Sequence, residues 1–114
     1  MLVLLAGCAT VPDVQRGKDI FVSRDEGHCI LCHSIPGVEV AGNVGPSLAG
    51  VGRRLSRDEI RDRIADITRS KPAALMPAFS RTEGLKRVAP GYVNKPVLAA
   101  QQVDDLVAFL ATLE

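Results

Sequence analysis

At 114 residues the chain is the size of one small domain, and so short a chain buries a modest core that gains from a staple. It has no Trp, one Tyr and three Phe, a poor aromatic supply that suits a core built around a cofactor. A formal net charge of +1 argues against nucleic acid as a partner, and no apolar run is long enough to span a bilayer.

The chain opens Met1-Leu2-Val3-Leu4-Leu5-Ala6-Gly7-Cys8, an apolar run ending in small residues, as in the tail of a secretory signal. Leu5-Ala6-Gly7-Cys8 resembles the bacterial lipobox, in which the Cys is lipidated and becomes the first residue of the mature protein. Residues 1–8 therefore read as a signal remnant with a lipidation site at Cys8, and residues 9–114 as the mature domain. The alternative is an apolar N-terminus with an ordinary Cys. No Lys or Arg precedes the run, so the expected signal is longer than what is written here. An anchor at Cys8 implies a periplasmic protein tied to a membrane by lipid, with a water-soluble body.

Thr10-Val11-Pro12 forms a short tether. Val14, Gly17, Ile20 and Phe21 then recur at helical spacing and predict a helix over 13–23. Gly17 costs about 1 kcal/mol in a helix interior relative to Ala. Its presence suggests that another backbone approaches closely; a tolerated Gly in an ordinary amphipathic helix is the alternative.

After the polar turn 24–27 comes Cys29-Ile30-Leu31-Cys32-His33, the C-x-x-C-H form of c-type haem attachment. Two thiols at this spacing reach the two vinyl groups of one haem edge. The following His33 lies beneath the iron as a proximal ligand. A zinc site would need four ligands, and Cys8 and His28 make no matching pair. A thioredoxin-like motif would need a βαβ context, and a simple disulfide would leave His33 unexplained. His28 is too close in sequence to His33 to reach the opposite haem face and reads as solvent-facing.

Residues 37–52 are rich in Gly, Pro and Asn and read as loop, with Gly45-Pro46-Ser47-Leu48-Ala49-Gly50 inside it. Ser56-Arg57-Asp58-Glu59 is a capping box, with Leu55 and Ile60 placed as a hydrophobic staple. The helix it starts carries the core stripe Ile60, Ile64 and Ile67, runs to Arg69 and stops before Lys71-Pro72. Arg53, Arg54 and Arg81 are either solvated charges or partners of a haem propionate. In Leu75-Met76-Pro77-Ala78-Phe79, Met76 is the one Met besides the initiator Met1, and Pro77 keeps it out of a helix. Met76 is the expected sixth iron ligand, a soft thioether that favours Fe(II) and raises the potential; core filler is the alternative. Residues 81–96 read as a surface loop in which Tyr92 reaches a propionate or covers the haem edge. From Ala99 a last helix puts Val103, Leu106, Val107, Leu110 and Leu113 on one face and Asp104 and Asp105 on another. Phe109 is expected opposite Gly17 or Phe21.

The order helix, C-x-x-C-H, Gly-Pro-x-Leu, helix, Met-Pro, helix resembles class I cytochrome c over most of the mature chain. The resemblance implies an all-α fold wrapped around one haem c. It further implies a close crossing of the first and last helices at Gly17, a Pro46 carbonyl that orients His33, and Leu48 packed on the ring. A narrower resemblance lies in His28-Cys29-Ile30-Leu31-Cys32-His33-Ser34-Ile35-Pro36-Gly37-Val38-Glu39. It continues in Gly42-Asn43-Val44-Gly45-Pro46-Ser47-Leu48, in Arg61…Ile64-Ala65-Asp66, and in Met76-Pro77-Ala78-Phe79. These are similar to SoxX, the small monohaem subunit of the bacterial sulfur-oxidation system. His28 stands where that family commonly has Asn, and Ser47 where Pro is frequent.

This resemblance implies a SoxA-type cytochrome partner and, through the complex, a SoxYZ-type sulfur carrier and an electron-accepting cytochrome. Together the subunits would couple thiosulfate oxidatively to a carrier cysteine, as an L-cysteine S-thiosulfotransferase. The residues limit this chain's share. Haem consumes Cys29 and Cys32 and lipid consumes Cys8, so no thiol is left for sulfur transfer, and a His33/Met76 iron has no open position. Catalysis falls to the partner and electron relay to this chain, which supplies no catalytic residue of its own. The rival readings are a free-standing periplasmic carrier and a subunit whose haem only stabilises the fold. A carrier would show a haem edge ringed by charge, an obligate subunit an apolar patch.

Overall fold

Gly17 sits where two helices meet. The first, α1 (Val14–Val22), starts at Asp13, whose carboxylate accepts the Arg16 N–H at 3.0 Å, and ends at Ser23, whose N–H donates to the Asp19 carbonyl. The last, α4 (Ala100–Ala111), crosses it so closely that a Cβ at Gly17 would lie 2.0 Å from the Asp105 carbonyl oxygen. Phe21 and Phe109 meet edge to face beside the crossing, with ring centroids 6.0 Å apart. The computed structural model describes residues 10–114, so the expected anchor at Cys8 lies outside the described residues.

Asp105 departs from expectation. It is 5% exposed and lies in the crossing, not on an outer face. Its Oδ1 accepts from the Asp13 N–H at 2.8 Å and from Gln101 Nε2 at 3.0 Å. A buried carboxylate needs such donors, and here they tie the start of α1 to the start of α4. Periodicity alone assigned Asp105 to the polar face because it cannot see a donor arriving from 92 residues away.

A short helix, α2 (Val51–Arg54), interrupts what the sequence presented as loop through Gly52. Gly50 turns the chain at φ +72°, and Val51 is then buried. The Gly52 N–H donates to the Leu113 carbonyl at 2.8 Å, fixing this turn to the end of α4. Helix α3 (Arg57–Asp66) follows and continues as a tighter turn over Ile67–Arg69. The capping box forms in both directions: Ser56 Oγ accepts the Glu59 N–H at 3.2 Å, and the Ser56 N–H donates to Glu59 Oε2 at 2.7 Å. Ser56→Ala should lower stability by about 1 kcal/mol in a denaturant melt. The Ser56 N–H and hydroxyl hold the Glu59 carboxyl below its usual range. The stabilisation from the charged cap is thus present above the unfolded carboxylate pKa, about 4.3, and is lost as pH falls through the lowered folded value.

Ile60, Ile64 and Ile67 are buried as the stripe predicts. Ile60 and Ile64 belong with Ile20, Phe21, Leu98 and Leu106 to one core. The described residues hold no strand, and no helix among them is long and apolar enough to cross a membrane.

Candidate haem site

His28 adopts a left-handed backbone, φ +48°, and throws the chain into a tight turn over Cys29–Leu31. The His33 N–H closes that turn on the Cys29 carbonyl at 2.9 Å. The turn brings Cys29, Cys32 and His33 to the wall of a largely apolar cavity of about 700 Å³. His28 is half-buried on the same wall, not turned wholly to solvent as expected. Burial pushes the Cys29 thiol up to about 12, and the neighbouring Cys32 adds to the effect.

Three backbone bonds lay the following loop against the motif. The N–H groups of Gly42, Gly45 and Leu48 donate to the carbonyls of Ile30, Cys32 and Ser34 at 2.8–2.9 Å. Gly45 lies against the His33 ring, where a Cβ would stand 2.4 Å from Cε1. The Pro46 carbonyl lies 2.7 Å from His33 Nδ1. A carbonyl only accepts, so Nδ1 carries the proton and Nε2 keeps its lone pair for a metal. Leu48 lines the cavity close by.

Another part of the wall comes from α3 and the segment after it, through Ile60, Ile64, Met76 and Pro77. Phe79 is 7% exposed and anchors this segment. Its N–H donates to the Ile64 carbonyl at 3.3 Å, and its carbonyl accepts the Leu98 N–H at 3.1 Å.

Arg54, Arg63 and Lys71 also line the cavity, and among the described residues no Asp or Glu does. Arg54 is steadied by the Ala49 carbonyl. The other arginines singled out in the sequence lie elsewhere: Arg53 is exposed, and Arg81 pairs with Asp66 at 3.5 Å. Tyr92 is 47% exposed and does not line the cavity. The sequence did not mark Arg63 and Lys71 as cations of the cavity, although Arg63, three residues after Ile60 and beside Ile64, carries the spacing of the apolar stripe.

These features fit a covalently held haem: two thiols at vinyl spacing, an oriented imidazole, a thioether, an apolar slot and cations for the propionates. The haem supplies one iron that gains or loses a single electron.

The sequence profile of the cytochrome c family matches residues 14–114. The chain belongs to the cytochrome c family. It is also similar to a chain in the crystal structure of SoxXA from P. pantotrophus, at 33% identity and a TM-score of 0.82. That match covers 92% of this chain and 84% of the other. Among curated proteins no sequence relative is found. This cytochrome is thus of the SoxX type, an all-α class I cytochrome c with one haem c bound through Cys29 and Cys32.

Proposed function

We propose that this cytochrome is the electron-relay subunit of a SoxAX-type complex, with His33 and Met76 as the axial iron ligands. The observation that carries the subunit reading is the likeness, over 92% of this chain, to a chain of SoxXA. The rim of the haem cavity agrees with it, since Leu31, Val44 and Leu75 line it. An apolar rim suits a lasting partner better than a ring of charge does. The partner is a SoxA-type cytochrome. In the coupling reaction a carrier thiol joins the terminal sulfur of thiosulfate, releasing one proton and two electrons. A single haem relays these electrons one at a time. The sulfur-transfer nucleophile belongs to the partner, because Cys29 and Cys32 are already bound as thioethers. The lipobox supports a periplasmic location with Cys8 lipidated.

Arg54, Arg63 and Lys71 favour the second reading, a free carrier steered to its partners by charge. The two propionates of a haem c match two of these three cations, which leaves the rim mainly apolar. Gentle affinity purification of the tagged mature protein from thiosulfate-grown cells separates the readings. A second c-type cytochrome should co-purify at fixed ratio. Recovery of the haem-loaded chain alone, where weak complexes are known to survive, would favour the carrier.

A further inference from the structure

The segment that carries Met76 is a loop with a closed base. It leaves α3 at Asp66 and returns beside it, where the Ser80 N–H donates to the Ala65 carbonyl at 3.1 Å, next to the Phe79–Ile64 bond. Between these points Pro72 and Ala73 are exposed and Lys71, Leu75 and Pro77 line the haem cavity, so the loop has little core of its own to fix the position of Met76.

The base is closed by side chains as well. The Asp66 carboxylate accepts from the Thr68 N–H at 3.0 Å and from the Thr68 hydroxyl. It pairs with Arg81 Nη1 at 3.5 Å, and the same Nη1 donates to Thr68 Oγ1 at 3.4 Å. One carboxylate thus joins the end of α3, the first turn of the loop and the residue just past its return. The Asp66 side chain is 13% exposed and that of Arg81 39%, so the cluster is partly open to water and its strength rests on the several hydrogen bonds to one carboxylate. Arg81 Nε is buried without a partner among the described residues. An orphaned donor is a cost, and here it accompanies a guanidinium held in one orientation.

We infer that Asp66, through Thr68 and Arg81, is the positioning residue that holds the Met76 loop against the haem and limits exchange of the axial sulfur. The inference rests on Met76 as a ligand. Asp66→Asn keeps the size of the side chain and removes the charge that binds Arg81.

The test uses the ferric holoprotein and exogenous imidazole. Two readouts are followed: the rate of imidazole binding to the iron, and the charge-transfer absorption band of iron–sulfur ligation. Asp66→Asn should bind imidazole about tenfold faster, the change in loop opening expected from losing one charge-assisted hydrogen bond. Asp66→Glu should restore most of the difference. Arg81→Gln should behave as Asp66→Asn does, and it serves as the test if the Asp66 variant does not fold. Ser56→Ala weakens the other end of α3 and should leave the rate unchanged, which separates positioning from general loss of stability. A wild-type rate in Asp66→Asn or its replacement Arg81→Gln overturns the inference, provided Met76→Ala abolishes the band. If Met76→Ala leaves the band intact, the ligation reading itself fails and the inference falls with it.

Discussion

Gly17→Ala should destabilise the holoprotein by about 2–4 kcal/mol, although alanine is by itself the better helix former by about 1 kcal/mol. The new methyl would lie 2.0 Å from the Asp105 carbonyl oxygen, 2.7 Å from its carbonyl carbon and 2.7 Å from Phe109 Cβ. None of these is the free end of a flexible side chain. Relief requires α1 and α4 to part by about 1 Å, which loosens the edge-to-face contact of Phe21 with Phe109. Parting also stretches the Asp13–Asp105 bond and leaves a buried carboxylate short of a donor. Denaturant unfolding followed by haem absorbance checks this, with a lower midpoint and an unchanged slope expected. A midpoint equal to that of the parent would mean that the crossing has slack the structure does not show.

Met76→Ala should lower the reduction potential by on the order of 0.1 V, within the ~0.8 V range that axial ligation commands. A thioether stabilises Fe(II), and its loss leaves water or an imidazole to take the position. The variant should bind carbon monoxide or imidazole readily where the parent does not. Redox titration and ligand difference spectra measure both effects. A parent-like spectrum and potential in the variant would refute sulfur ligation. Stability should change less than in Gly17→Ala, because Met76 is only partly buried and the Phe79 anchor stays in place.

The legible parts of this chain are those written in local spacing. The cysteines and His33 sit within five consecutive residues, and Ser56 and Glu59 announce their mutual hydrogen bonds three residues apart. Gly17 could be read as a point of close approach because a glycine in a helix interior is costly without such a reason. The Pro46 carbonyl, 2.7 Å from His33, lies where the family resemblance placed it. The parts that were not legible depend on distant segments. Asp105 looks like a surface carboxylate until Asp13 arrives from the other end of the chain. Arg81 offers a charge for a propionate, but Asp66 takes it first. α2 is too short for periodicity to register and exists because Val51 and Gly52 dock on the end of α4. Tyr92, in a long loop, had no local signal to say which way it would point.

Phe21, Ile60, Ile64, Phe79, Leu106 and Leu110 line the haem cavity and also form the core of the domain. The same core continues away from the cavity through Ile20, Leu98, Val107 and Phe109, so the haem would share one hydrophobic centre with the crossing of α1 and α4. Before attachment, the same walls would face water or fall inward. A haem in this cavity would cover those walls, and each Leu, Ile or Phe side chain fully buried in this way contributes about 1.5–3 kcal/mol. Attaching the haem at Cys29 and Cys32 would therefore also complete one wall of the hydrophobic core.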